Sequence, residues 1–352
     1  MNQSLPPSIT ADHLTQMLRG AGVLPEGQVA DVAQQSPRDT LLSRVVRLRL
    51  SYDREAPAAP SSLFLKVARD DRRDPSWLSG RQEVAFYTDV ASQLTPGLVP
   101  RCFDADWNAE TNLWHLLIED LTETHAVATA WPLPPSYAQC ETIVGTLARI
   151  HAQWWDHPQL GVSVGAWSGA DELENIRQGF ATQFAGFADH LGDALSADRR
   201  DLYRRLIDAL PRLQQRYHSH RHATIIHGDA HMWNCVLPRD PPQGARFFDW
   251  DAWRVDVATS DLAYMMAMHW HPERRQHYES PLLDFYHRTL VAHGVAHYDR
   301  RALADDYRRS ALTLLRRPVW QWSMKIPPVV WWSNLERIVM AIDDLGSREL
   351  LG

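Results

Sequence analysis

Cysteine is scarce. The 352 residues hold three, Cys102, Cys140 and Cys235, an odd number at scattered positions, which excludes a disulfide framework and fits thiols kept reduced. No apolar run approaches the roughly 20 residues that cross a bilayer, and no charged segment followed by an apolar core opens the chain. No membrane partner and no secretion signal are expected, and a cytoplasmic location is. A basic excess is missing too: Lys plus Arg is 36 against 43 for Asp plus Glu, a net charge of −7. Nucleic acid demands basic stripes and is therefore not expected as a partner. Lysine is rare enough that Lys66 is the only one in the first half of the chain. Glycine is absent from the whole of Ala33 to Leu42.

What is present fills a core. Hydrophobic residues are 45% and charged residues 22%, the composition of one large or two ordinary globular domains. Thr10 to Leu18 predicts a short helix capped by Thr10, and Val29 to Thr40 reads as polar and irregular. Val46, Leu48 and Leu50 alternate with Arg47 and Arg49, the period of a strand with one wet face. A second strand over Leu63–Val67 sets Leu63, Leu65 and Val67 on one face and Phe64 and Lys66 on the other. Arg81 begins a helix that carries Glu83. Leu113 to Ile118 is a further apolar run of strand length, ended by Glu119, Asp120 and Leu121. The acidic residues of Phe103 to Trp107 and of Thr111 to Glu123 read as solvated turns. Beyond proline-rich Trp131–Pro135 the character becomes helical. Ser136 caps a helix with a buried stripe from Cys140 to Trp154. Further helices follow around Phe180 and around Leu206, where Pro211 is a candidate breaker, and then over Thr259–Trp270, Leu282–Val291, Leu303–Leu315 and Val330–Leu345. Ser260 or Asp261 is the expected cap of the first of these four.

Two short apolar runs deliver polar residues to turns. Ile225 and Ile226 lead into His227-Gly228-Asp229, with Asn234 five positions after Asp229, and Phe247-Phe248 leads into Asp249. Phosphoryl transfer needs such a set: a carboxylate that orients a substrate hydroxyl, and an amide and a carboxylate oxygen that hold Mg²⁺ against nucleotide phosphates. His227, Asp229 and His231 also have the composition of a transition-metal site in a hydrolase. Gly228 and the flanking β-branched residues make this segment a loop, however, and not the helix on which histidines four apart bind zinc.

His-x-Asp-x-x-x-x-Asn followed by a strand ending in Asp resembles the aminoglycoside phosphotransferase and choline kinase-like branch of the protein-kinase-like superfamily. The order Lys66 on a strand, then Glu83 on a helix, extends the resemblance across most of the chain. It implies an α+β, bilobal protein-kinase-like fold: a small antiparallel-sheet N-lobe with one main helix and a larger, mostly helical C-lobe. The corresponding divisions are 1–118 for the nucleotide-binding lobe, 119–135 for the hinge and linker, and 136–352 for the helical lobe. It implies Asp229 as catalytic base and Asn234 and Asp249 as magnesium ligands. Lys66 is implied as the contact to the α- and β-phosphates and Glu83 as the residue that holds it. Ile118, Glu119 and Leu121 form the hinge whose backbone meets the adenine. Asp261 is implied as a brace of the catalytic loop, and His151 reads as a packed histidine supporting that loop. The resemblance also calls for a glycine-rich loop over the phosphates, from which glycine-free Ala33–Leu42 departs.

The expected activity is transfer of the γ-phosphoryl group of ATP, or of another nucleoside triphosphate, with Mg²⁺, to a hydroxyl of a small aminoglycoside-, sugar- or amino-alcohol-like molecule. Trp253, Trp270, Trp320, Trp322, Trp331 and Trp332, with Met265, Met266 and Met268, supply either core or an aromatic wall for a ring or a cationic group. Pro327–Pro328, between Trp322 and Trp331, is expected to make a rigid turn able to bring one of these rings to the cleft. Asp251 and Asp256 are candidates to meet a substrate amine. A non-catalytic nucleotide-binding module is the competing class, and the expected state is monomer or homodimer.

Overall fold

In the computed structural model the described residues are 9–40, 42–69, 79–240 and 244–352. In chain order the elements are α1 (Ala11–Gly20), β1 (Val29–Asp39), β2 (Ser43–Tyr52), β3 (Ser62–Ala68), α2 (Ser79–Ala85), β4 (Cys102–Trp107), β5 (Trp114–Glu119) and β6 (His125–Ala126). Then come α3 (Tyr137–Gln153), α4 (Ala170–Leu191), α5 (Ala197–His218), β7 (Ala223–Ile226), β8 (Cys235–Pro238), β9 (Arg246–Phe247) and β10 (Arg254–Val257). The last are α6 (Thr259–Ala263), α7 (Pro272–Ala292), α8 (Arg300–Thr313), α9 (Arg316–Ser323) and α10 (Pro328–Asp344). Among the described residues no helix is long and apolar enough to cross a membrane.

The chain forms two compact units: Met1–Ala126 with Val236–Ala252, and Val127–Cys235 with Trp253–Gly352. The division expected from the sequence fell at 118 and 135 and assigned no later segment to the first unit. The first unit takes back Val236–Ala252 because β8 pairs antiparallel with β6, His125 opposite Pro238 and Ala126 opposite Leu237.

The first unit is an antiparallel sheet in the order β1-β2-β3-β5-β4. Leu48, Leu63, Leu65 and Leu117 are fully buried and share one core with Leu14 and Leu18 of α1. The Thr10 side chain accepts the N–H of His13 at 3.2 Å, so the expected cap of α1 is in place. Val29–Thr40, expected to be irregular, contains β1. It is an edge strand whose side chains are nearly all exposed, so backbone pairing with β2 sustains it with only Val29 and Val32 anchored to the core. Pro37, which cannot donate to the ladder, lies where the register shifts between Gln35 and Arg38. Of the acidic residues read as solvated turns, Glu110 is exposed in a turn, whereas Asp104 and Asp120 are ion-paired. Asp104 lies on β4 and meets His13 at 2.6 Å and His115 at 2.9 Å. Asp120 accepts from Arg47 and Ser62, both at 2.5 Å.

The second unit is helical, with the small pair β7–β10 in register Ile226 opposite Arg254. Ser136 and Gln139 form a reciprocal capping box at the start of α3, which satisfies two otherwise orphaned N–H groups. Pro211 does not break α5, which continues to His218. The burial of Leu206, Leu210 and Leu213 on its inner face offsets the lost hydrogen bond. Asp261 does not cap α6. That helix starts from Ala258 without a side-chain cap, because the Asp261 carboxylate is engaged elsewhere. A wider helical turn over Tyr264–Met268 continues α6, and all five of its residues are buried. Met265, Met266 and Met268 are therefore core, as are Trp253, Trp270 and Trp331. Pro328 begins α10 at its first position, where a missing N–H costs nothing.

Candidate active site

In the first unit the alternation of β3 buries Leu63 and Leu65 and turns Lys66 to the opposite face. Its ammonium lies 2.6 Å from Glu83 of α2 and also pairs directly with Asp249. Burial alone would lower Lys66, but Glu83, Asp249 and Asp251 together hold it well above its ordinary value, so it is charged at neutral pH. Asp249 follows β9 in the left-handed region, φ 67°, a conformation that aspartate tolerates better than most residues. Trp250 fixes this turn. Its ring stacks on Phe86 with centroids 3.9 Å apart and planes 5° apart, and its Nε1 donates to Phe247 O at 3.1 Å. The helix that carries Glu83 and the turn that carries Asp249 are thus packed together through one aromatic pair.

Ile118 and Glu119, expected to meet the nucleotide base, close β5, and Leu121 lies just beyond it. Ile118 faces Phe64 on one side and Cys102 on the other, so its backbone lies inside the sheet. Glu119 donates its N–H to Arg101 O at 2.8 Å, and its carboxylate meets Arg246 at 2.6 Å. Leu121 O accepts the N–H of His125 at 2.8 Å.

In the second unit β7 delivers the loop from His227. Gly228 has φ +79°, which a side chain would strain. Asp261 takes His227 N–H at 2.7 Å on one oxygen and Gly228 N–H at 2.8 Å on the other. Behind it His151 Nε2 lies 3.2 Å from the same carboxylate, and its Nδ1 meets Tyr286 OH at 2.7 Å. The loop is thereby braced from a fully buried interior. Asn234 Nδ2 donates to Asp229 O at 3.0 Å and to Asp229 Oδ2 at 2.9 Å. Tyr264 OH donates to Asp229 Oδ1, and Arg317 donates to Gly228 O at 2.7 Å while lying over the Tyr264 ring. Burial works to raise Asp229. The His231 charge, the Tyr264 hydrogen bond and Arg317 outweigh it and bring the carboxyl to about 2.

Magnesium takes hard oxygen ligands. Asn234 has committed its amide N–H₂ to Asp229, which leaves Oδ1 as its acceptor. Asp249 gives Oδ1 to Lys66 and retains its second oxygen. Each of the two, taken by itself, is a hard oxygen donor of the kind this ion takes. The transition-metal alternative does not fit. His227 is fully buried, and among the described residues no group of three His, Cys, Asp or Glu could hold a metal ion.

Sequence reasoning missed Tyr264 and Arg317. Tyr264 stands three positions after Asp261, and Arg317 belongs to the Arg316-Arg317 pair, but neither spacing marks a partner of the Asp229 loop. Of the remaining acidic candidates, Asp256 pairs with Arg254 at 2.9 Å, and Asp251 adds to the field at Lys66. Beside the loop lies a cavity of about 660 Å³ bordered by Gly228, Asp261, Tyr264, Arg316 and Trp320 among others. That volume is in the range of small-molecule sites.

The sequence model of the ecdysteroid kinase-like family matches residues 37–296. No curated protein sequence matches the chain. Solved structures share the fold. A protein of Ralstonia eutropha assigned as an aminoglycoside phosphotransferase is similar at 13% identity, 97% coverage of this chain and 98% of that one, with a TM-score of 0.58. A microcompartment-associated aminopropanol kinase is 14% identical over 96% and 99%, with a TM-score of 0.54. An amicoumacin kinase solved with AMP-PNP and Ca²⁺ is 13% identical over 94% and 92%, with a TM-score of 0.52.

Proposed function

The chain belongs to the ecdysteroid kinase-like family, and on that premise we propose that it is an ATP-dependent phosphotransferase acting on a hydroxyl of a small molecule. The observation that carries the reading is Lys66, a nearly buried ammonium held between Glu83 and Asp249. A desolvated lysine between two carboxylates is expensive to maintain as mere structure, and it has the composition of a phosphate contact with its holder and a metal ligand.

In this reading Asp229 accepts the proton of the acceptor hydroxyl, and Tyr264 and Asn234 fix the direction of its oxygens. The low value of Asp229 suits the role, because the transition state for phosphoryl transfer is loose and the hydroxyl loses its proton late. Orientation then matters more than basicity. Asp261 and His151 hold the loop so that Asp229 does not wander, and positioning is the larger part of catalysis here. Lys66 compensates charge on the α- and β-phosphates, with Glu83 keeping it in place. Asn234 and Asp249 are the magnesium ligands. When bound, the ion supplies positive charge against the phosphate oxygens. Leu121 and the end of β5 meet the base of the nucleotide.

The test is thermal denaturation with and without ATP and Mg²⁺. Ligand at 100 times its Kd stabilises by about 2.7 kcal/mol. The wild type is expected to gain Tm only when both are present, and Asp249→Ala is expected to lose the metal-dependent part. A metal titration unchanged in Asp249→Ala contradicts the assignment.

A further inference from the structure

The cavity of the second unit has walls of two characters. Leu173, Ile176 and Phe180 of α4 and Leu210 and Leu213 of α5 are apolar. The rest of the lining includes charged residues, Arg216, Arg254, Arg309, Arg316 and Arg317 against Asp256, Asp261 and Asp306, and these charges do not cancel. Each of the three carboxylates lining the cavity is already engaged. Asp256 meets Arg254 at 2.9 Å. Asp306 meets Arg216 at 2.8 Å and Arg309 at 2.9 Å. Asp261 is occupied by the His227 and Gly228 N–H groups and by His151.

Arg316 is left over. Its side chain forms neither a hydrogen bond nor an ion pair with any described residue, and its guanidinium lies over the Phe180 ring at 5.9 Å. Burial, with the guanidiniums of Arg254 and Arg317, depresses it to about 10, against a weaker pull from Asp256. It is still charged at neutral pH. A half-buried guanidinium with no acceptor from the described residues is open to one supplied by a bound molecule. Its planar fork matches an oxyanion. Arg317, the next residue, bonds to the Gly228 carbonyl, and Tyr264 in the same wall bonds to Asp229. The cavity therefore extends from Arg316 to Gly228 and Tyr264, the immediate neighbours of the proposed base.

We propose that this cavity binds a largely apolar compound bearing an oxyanion, and that Arg316 is the residue that recognises the anion. That the compound is the phosphoryl acceptor rests on the phosphotransferase reading; a hydroxyl at one end and a carboxylate or sulfate at the other would then define the substrate class. The excess of guanidinium disfavours the cationic group that the tryptophan-rich sequence suggested.

The test is binding without nucleotide, so that its failure is separate from failure of the phosphotransferase reading. The probes are 8-anilinonaphthalene-1-sulfonate and N-phenyl-1-naphthylamine, the same rings with and without the anion, titrated by fluorescence. The wild type is expected to prefer the sulfonate. Arg316→Gln is expected to weaken the sulfonate on the order of tenfold to a hundredfold, the worth of a hydrogen bond to a charged group. The neutral dye is expected to bind the variant as it binds the wild type, which also reports that the cavity is still folded. Arg316→Lys is expected to recover part of the difference. Octanoate and octyl sulfate, used below micelle formation, then separate carboxylate from sulfate by which displaces the bound dye better. Octanol and octylamine should displace it poorly. Equal affinity for the two dyes, an Arg316→Gln variant that keeps the sulfonate affinity, or displacement by octylamine as effective as by octanoate overturns the proposal.

Discussion

Asp261 holds Gly228 by the backbone: the Gly228 N–H donates to one carboxylate oxygen at 2.8 Å, and the His227 N–H takes the other at 2.7 Å. An asparagine of the same shape can accept only one of these donors. Asp261→Asn leaves a buried N–H facing an amide N–H₂ and removes a fully buried charge from beside His151. We expect it to destabilise the protein by about 2–5 kcal/mol, read by denaturant unfolding. A variant as stable as the wild type removes Asp261 from its role as the brace. Asp261 is held below the usual carboxylate range: burial opposes this, but His151 and the loop N–H groups outweigh it. Its contribution is present above about pH 4, the unfolded value, and is lost as pH falls through the lower folded value.

His269 gives a second pH dependence in a different window. It packs edge-on against the rings of His231, Trp233 and Tyr264 at 5.5, 5.7 and 5.2 Å. Burial first, and then the His231 charge, bring it down to about 3. The unfolded histidine titrates near 6.5, so on acidification the unfolded chain takes the proton first. Stability is fully present above about pH 6.5 and falls as pH drops towards 3, with a slope of at most about 1.4 kcal/mol per pH unit. His269→Gln should flatten the stability profile between pH 6.5 and 4, above the range where Asp261 contributes. An unaltered slope there contradicts the account.

Tyr264 gives Asp229 its hydroxyl, and this bond is one of the reasons why the carboxyl lies near 2. Tyr264→Phe keeps the ring under Arg317 and deletes the donor. The Asp229 carboxyl should move up towards the ordinary value of about 4. Carbon-13 NMR of aspartate-labelled protein reads this directly, with the resonance assigned by its loss in Asp229→Asn. A titration that is the same in Tyr264→Phe and in the wild type shows that the hydrogen bond does not set the value.

Local periodicity was legible in the residues themselves; long-range pairing was legible only where the family resemblance supplied it, as for Lys66 with Glu83. The alternation of Leu63 to Lys66 lies within one short segment and forms a strand as read, whereas Lys66 and Asp249 stand 183 positions apart and were linked only through the resemblance. β1 was hidden because an edge strand with exposed faces needs no apolar pattern. Asp104 and Asp120 looked solvated because their partners His13 and Arg47 stand 91 and 73 positions away. Tyr264 and Arg317 were silent for the same reason, their partners Asp229 and Gly228 standing 35 and 89 positions away. Pro211 and Ser260 misled in the opposite sense: a local rule favoured a break and a cap, and tertiary packing overrode both.

Phosphoryl transfer itself is the most direct test. The protein is incubated with Mg²⁺, ATP labelled in the γ-phosphate, and a panel of hydroxylated small molecules that includes apolar hydroxy acids, and the products are separated chromatographically. The account predicts label in an organic phosphate with the wild type. It predicts a loss of about 10²–10⁴ in turnover with Asp229→Asn, while ATP still raises the Tm of the variant. Label released only as inorganic phosphate, or equal transfer by Asp229→Asn, contradicts it.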